Sequence, residues 1–442
     1  MVRLPYTILV SLFVLSGQPQ RALAGCSLKS TSNPPVVTTS FGSKLLLSES
    51  SGSYEREDGE EINMFCGSGF EMKFEDYNGY DGQYTSADPQ ITLKCDSIYF
   101  RLNGEFDRAR NLEVNCKGRV SQMFESRTSL PECSNYMTLV LGYDFQEKGT
   151  IKHAAMCYDI LEAQLKYISY TSFSTRKRII EESQAGQLNN LGLDISVAYR
   201  KNLVKNFGQN DIDTYLEKER HLSELFGNGI FEYRNLVQDE SAGKALVGYE
   251  DMFNTIWLKN LRTGSWKLWL NALRAATEAG TQFDIRLGVS GTLHLPRTSS
   301  NPCMNYTEYL VIQPKAPGTG SVPVPAYIWA HVYSLKPTGH AGDQDEFVII
   351  GHNSPFSVNA TEVCSSMCHQ VSWLKDTLFV KLREFPAYGL VQCCDVKDVA
   401  HKLDNFPGAF AAETASPTAD AASTTSTPVP DSVVAYVGEG GL

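Results

Sequence analysis

Two short runs of the chain carry basic side chains at spacings that suit phosphate. Arg176, Lys177 and Arg178 are consecutive, and Arg200, Lys201 and Lys205 lie beside Tyr199 and Phe207. Guanidinium and ammonium groups neutralise phosphate, and neighbouring aromatic rings offer faces on which bases stack. The same runs also read as the solvated face of a helix. Histidine is the other side chain with chemistry near neutral pH. His221 follows Arg220 on the apolar side of an expected helix. Gly339-His340 precedes Asp343 and Asp345, a spacing that could hold a metal but reads better as a solvated loop between two strands. His294 within a strand and His352 at a strand end read as structural.

Cysteine chemistry is more abundant. The eleven are Cys26, Cys66, Cys95, Cys116, Cys133, Cys157, Cys303, Cys364, Cys368, Cys393 and Cys394. Cys364 and Cys368 are four apart, with His369 beside them, and Cys393 and Cys394 are adjacent. That is not a usual zinc spacing, so no metal site is expected and the cysteines read as disulfide partners. An odd total leaves one thiol free or bonded to another chain, which makes a covalent homodimer one outcome. Asn305-Tyr-Thr and Asn359-Ala-Thr are glycosylation sequons.

The compartment follows from the start of the chain. Arg3 precedes an apolar run from Tyr6 to Leu15, broken by Gly17 and Pro19, and Ala22-Leu23-Ala24 offers a cleavage site. A run of about ten residues is too short to span a hydrocarbon core of roughly 30 Å, so residues 1–24 read as a secretory signal and not as an anchor. No later stretch reads as a membrane span. The formal charge is −11. Removing residues 1–24 takes away Arg3 and Arg21 and no acids, so 37 basic against 50 acidic side chains leave −13. That excludes coating nucleic acid with the whole surface, but not one basic groove on an acidic body.

These residues need elements to position them. At 442 residues the chain is long enough for two domains. Residues 51 to about 145 read as short strands and turns, with Asn78-Gly79 and Asn103-Gly104 as hairpin signals. Helical spacing is read at 154–169, through Met156, Ile160, Leu161 and Leu165. It is read again at 211–226, through Leu216, Leu222, Leu225 and Phe226, closed by Gly227. A third helix is capped by Ser265, striped by Trp266, Trp269, Leu270, Leu273 and Ala276, and ended by Gly280. Strands are expected at 283–289, 326–335 and 346–351. From about Ala411 the Ala/Ser/Thr/Pro-rich tail reads as disordered. The expected organisation is a β-rich cysteine-containing domain at 25–145, an α+β domain at 146–410 and a tail at 411–442.

Several of these segments also carry a resemblance. VPVPAYIWAHVYS, FVIIGHNSP, the Cys364/Cys368/Trp373 group, YGLVQCCDV at 388–396 and GSWKLWLNALRAATEAGTQFDIRLGVSGTLHLP at 264–296 resemble the C-terminal half of the arthropod secreted DNA/RNA non-specific endonucleases. The chain is similar to the divergent tsetse salivary Tsal branch of that family. The match is better over 150–405 than over 26–150. It implies a ββα-metal, His-Me-finger-type core behind a disulfide-stapled β domain. It implies a His as general base, an Asn-held divalent cation and an Arg on the phosphate.

Carried onto this chain, the resemblance puts Arg234 on the family Arg and Asn235 on a Gly. Leu236 falls on the catalytic His, Trp257 on the metal-binding Asn, Ser265 on the Asn before Trp266, and Leu270 on the helix Glu. Leucine takes no proton and indole supplies no hard oxygen ligand. Arg234, Lys244, Lys259 and Arg262 would line the cleft that remains. The expectation is a secreted protein that binds DNA or RNA with weak or no hydrolysis, and no cofactor. The rivals are an active magnesium-dependent nuclease and a structural or host-interaction protein that kept only the fold.

Overall fold

The computed structural model describes residues 25–410, apart from 49–51, 103–105, 121, 182–190, 197–202, 227–228, 297–307, 316–319, 336–344 and 358–362. The expected signal segment and tail therefore lie outside the described residues. So do Asn103-Gly104, Arg200, Lys201, Gly227, Cys303, Asn305, His340, Asp343 and Asn359, as does the side chain of Lys244.

The first ten strands are β1 (Gly25–Lys29), β2 (Val36–Ser40), β3 (Lys44–Leu46), β4 (Ser53–Glu57), β5 (Glu61–Phe65), β6 (Phe70–Asp76), β7 (Asp81–Ser86), β8 (Gln90–Asp96), β9 (Tyr99–Leu102) and β10 (Phe106–Cys116). Then come β11 (Met123–Glu125), β12 (Met137–Asp144), β13 (Thr150–Asp159), β14 (Gln164–Ser172), β15 (Ile179–Glu181) and β16 (Leu193–Asp194). The helices α1 (Gln209–Lys218) and α2 (Arg220–Leu225) follow. The hairpin strands β17 (Phe231–Asn235) and β18 (Asn254–Leu258) flank α3 (Glu240–Ala245). After β18 the chain forms α4 (Lys259–Leu261), α5 (Lys267–Glu278), β19 (Phe283–Ser290), β20 (Val311–Ile312), β21 (Val322–Pro323), β22 (Tyr327–Ser334) and β23 (Glu346–His352). It closes with α6 (Leu378–Leu382), β24 (Val391–Cys394) and α7 (Val396–Val399). The class is α+β and strand-rich.

Strands β1–β10 build one sheet, ordered β3-β2-β5-β8-β9-β10-β1-β4, with β6 pairing β10 and β7. Both expected hairpins are present. β6 and β7 turn through Gly79 at φ +84°, and β9 pairs β10 across residues 103–105. The second sheet runs β16-β11-β12-β13-β14-β19-β22-β23-β24. By this pairing residues 123–144 join the second sheet. The two sheets also share structure: β15 pairs antiparallel with β3, and Phe145 and Ile151 at the β12–β13 turn are buried in the first sheet's core. Through Pro407 the chain is one compact unit.

Three expectations about local structure are corrected. Residues 154–169 are not a helix but the end of β13, a turn and the start of β14. Leu161, placed on the apolar helix face, sits in the turn and is 91% exposed. A strand buried on both faces is apolar at nearly every position, so any helical stripe can be picked out of it. The 211–226 helix is two helices, because Glu219 is extended between them at φ −85°, ψ 100°. The third helix begins six residues before its expected cap. Lys259 is its first residue, with Leu258 at the cap position, and α4 runs through a π-turn at Arg262–Trp266 into α5. Ser265 lies inside, fully buried, with no hydrogen-bond partner for its hydroxyl. The turn at Gly264 is bent (φ −103°, ψ −109°) and presses against Tyr388, whose carbonyl O would sit 2.4 Å from any Cβ there. The Trp266, Trp269, Leu273 and Ala276 stripe is buried as expected, and Gly280 at φ +105° ends the helix.

Ten cysteines pair as Cys26–Cys95, Cys66–Cys116, Cys133–Cys157, Cys364–Cys394 and Cys368–Cys393. Cys303 is the one remaining. Among the described residues no helix is long and apolar enough to cross a membrane.

Candidate functional site

The hairpin β17–β18 runs directly into the helix, and three clefts open around this unit. The first, of 350 Å³, is lined by Arg234 and Lys259 with Asp213, Glu217 and Glu232. The second, of 460 Å³, shares Gly229 and Lys259 with the first and adds Asn260, Thr263 and Ser354. The third, of 320 Å³, shares Thr263 with the second and is lined by Arg262, Lys267 and Arg274 together with Asp239 and Glu240. Shared walls make the three adjacent along the start of the helix.

One buried side chain holds the hairpin. The Asn353 amide, wholly buried, donates to Ile256 O and Pro325 O (both 2.9 Å), and its Oδ1 accepts from Leu258 N (2.5 Å). It satisfies backbone groups of β18 and of the segment before β22 together, fixing where the helix begins.

The charges around the clefts are partly paired. Arg262 donates Nε (2.8 Å) and Nη2 (2.5 Å) to Glu232 Oε2, and Lys259 Nζ stands 3.8 Å from the other oxygen. Arg274 Nη1 meets Glu240 at 3.0 Å. Arg234 and Lys267 are exposed and have no ion pair among the described residues. Burial pushes the Asp239 carboxyl above the usual carboxylate range, against hydrogen bonds from Ser172 and Ser241. The exposed Arg274–Glu240 pair contributes at most about 1 kcal/mol, whereas Arg262 and Glu232 are mostly buried and doubly hydrogen-bonded.

The expected basic residues fall in different places. Arg176 sits at the end of α5, its Nε 3.2 Å from Glu278. That carboxylate also accepts from Thr175 N and Oγ1 and from Ser174 Oγ, which hold its pKa down to about 2. Thr175 lines the third cleft, so Arg176 stands beside it. Lys177 is half-buried in the same turn, and Arg178 donates to Ser48 O at 3.3 Å, facing the first sheet. Lys205 is 12% exposed and tied to Glu162 and Ser321 O, by a separate small cavity. Lys267 and Arg274 were not singled out from sequence. Their spacing of seven, two turns of helix, is the signal that puts them on one face.

The positions carried over from the nuclease pattern do not meet in one cleft. Arg234 lines the first and Leu270 the third. Leu236 and Trp257 are buried in the core, at 1% and 0% exposure. β17 ends at Asn235, and Leu236 turns inward with its N–H on Phe253 O. Trp257 packs edge-on against Trp266 at 5.3 Å, and Trp266 against Trp269 at 4.9 Å. Leucine and indole supply no oxygen donor for a magnesium ion, and the hydroxyl of Ser265 is buried inside the helix turn. Among the described residues no three His, Cys, Asp or Glu side chains converge on a metal position.

No described histidine lines these clefts. His221 faces Glu308 at 3.3 Å, and His294 packs on Tyr309. His331 meets Glu346 at 2.8 Å, and His352 meets Gln392 at 2.9 Å. His153 is buried with no hydrogen-bond partner on either ring nitrogen, and burial lowers its pKa to about 4. His369 and His401 are on the surface.

No family model matches the chain, and no curated protein matches it.

Proposed function

We propose that this is a secreted nucleic-acid-binding protein built on a ββα nuclease-like unit, without the machinery to hydrolyse its ligand. The observation that carries the reading is the third cleft, where Arg262, Lys267 and Arg274 line one cavity with no imidazole among the described residues. Two more support it. The order strand, strand, helix in β17, β18 and α4–α5 is the order that the resemblance implies. Leu236 and Trp257 fill core where that pattern would need a base and a metal ligand. Five disulfides suit an oxidising compartment.

A second reading is a fold-only protein that has lost the ligand as well. It is favoured by the charge census of the three clefts, whose walls hold five Lys or Arg and five Asp or Glu.

The test has two parts. Plasmid DNA and double-stranded RNA stay intact with the purified protein, with magnesium or with chelator; chelator-sensitive digestion overturns the proposal. Labelled nucleic acid binds with an affinity that falls as salt rises, and the Lys267→Glu, Arg274→Glu double variant lowers the salt slope by roughly 2, about 1 for each phosphate contact. No binding at any salt favours the fold-only reading.

A further inference from the structure

The second cleft does not have the chemistry of a plain phosphate track. Beside it, two aromatic rings face solvent: Phe385 is 55% and Tyr388 43% exposed. They flank a single 3-10 turn, Pro386–Tyr388, that forms part of the cleft wall through Pro386. Exposed aromatics on a loose loop would mean little, but this turn is fastened. Asn260 Nδ2 donates to Pro386 O at 2.8 Å, reaching across from α4. Tyr388 N donates to Phe385 O and Gly389 N to Pro386 O. Gly389 holds φ +80°, with Leu261 Cα 2.4 Å from where a Cβ would sit. From the other side Gly264 lets the helix meet the Tyr388 carbonyl. The backbone that carries the rings is therefore held in place, which lowers the ordering cost of using them.

The polar side chains lining the cleft are Lys259, Asn260, Thr263, Ser354 and Ser357. A cavity of 460 Å³ is large enough for one nucleobase and its sugar, and hydroxyls are suited to the edges of a base. Cations line the neighbouring clefts. Lys259 is shared with the cleft of Arg234, and Thr263 with the cleft of Arg262, Lys267 and Arg274. All three clefts lie around the start of one helix, and the middle one shares a wall residue with each of the others.

We infer that this middle cleft is a nucleotide pocket, and that the ligand is single-stranded nucleic acid. The backbone lies across the flanking cations, one unpaired base turns into the pocket, and Phe385 and Tyr388 stack its neighbours. A duplex keeps its bases stacked inside and cannot fill the pocket without unpairing. The inference rests on the nucleic-acid-binding reading above and narrows its ligand.

The test compares equal-length single-stranded DNA, single-stranded RNA and blunt duplex DNA by fluorescence anisotropy. The full-length mature protein is used, as wild type and as Phe385→Ala, Tyr388→Ala. Single strands are expected to bind about tenfold or more tighter than duplex, and the double variant to lose about that factor for single strands while duplex affinity is unchanged. A Phe385→Trp variant gives a second readout, with indole fluorescence quenched on adding single strand and not duplex. Equal affinity for single strand and duplex, unaltered in the double variant, overturns the pocket and leaves the binding reading intact. Binding of no nucleic acid overturns both.

Discussion

The two sheets of this molecule hold themselves together by different means. In the first, burial alternates along the strands. From Gln90 to Asp96, β8 places Ile91, Leu93 and Cys95 inward and turns Thr92 and Lys94 to solvent. In the second, β13 is buried at every position from Ile151 to Tyr158, so both faces are covered. A sheet with one wet face has only one core to rest on. Cys26–Cys95 and Cys66–Cys116 cross-link that sheet, whereas the other three bonds fasten loops to the doubly covered one. The basic clefts all belong to the second region, which has packed mass on each side to hold a hairpin and helix rigidly.

The contrast predicts where each half breaks. Removing both first-sheet disulfides, as Cys26→Ala/Cys95→Ala with Cys66→Ala/Cys116→Ala, should cost roughly 3–4 kcal/mol for each loop. Thermal unfolding reads the loss, and hydrogen exchange should place it in β1–β10. Protection lost first in β13 and β14 would overturn the division of labour. Trp257→Ala should cost about 3–5 kcal/mol by opening a cavity against Trp266. It should spare exchange protection in the first sheet.

Asn353→Ala is expected to cost about 2–3 kcal/mol, since it orphans Leu258 N, Ile256 O and Pro325 O in the core. Because Asn353 positions the hairpin, nucleic-acid affinity should fall with stability. Unchanged affinity would mean that the clefts do not depend on where the hairpin sits.

The smallest effect expected is at Glu278. Its folded pKa of about 2 lies below the ordinary value of 4.5, so its stabilisation is complete above about pH 4.5 and is lost as pH falls through 2. Glu278→Gln should flatten that acid limb and loosen the turn carrying Arg176. An identical acid limb in the variant would show that the carboxylate does not hold the turn.

How far the chain could be read from its residues follows the same contrast. α5 was legible because its Trp and Leu stripe faces one core while Lys267, Asn271 and Arg274 face solvent. β19 was legible from the alternation of Phe283, Ile285, Leu287 and Val289, and β22 and β23 from their apolar runs. β13 and β14 were not, because burial on both faces erases the alternation that marks a strand. The break between α1 and α2 falls at Glu219, a good helix former, so nothing local announces it. The candidate site was half legible. Arg262 and Lys259 were in view, but the third cleft also needs Thr175, Gln238 and Asp239, from segments far apart in the chain. The cysteine pairing was not accessible at all, since spacing alone does not choose among the connectivities.

The pairing of β15 with β3 sets an order of events during synthesis. β3 emerges early, and its outer edge has no partner until Ile179–Glu181 follows, well after the rest of the first sheet has been made. β1 likewise waits for β10 to pair in parallel beside it. A nascent chain therefore carries an open, apolar-backed sheet edge until Ile179–Glu181 emerges, the kind of edge that recruits a second copy. Completion of the N-terminal sheet awaits the emergence of Ile179–Glu181, and the yield of correctly folded protein should depend on how well that edge is shielded until it closes.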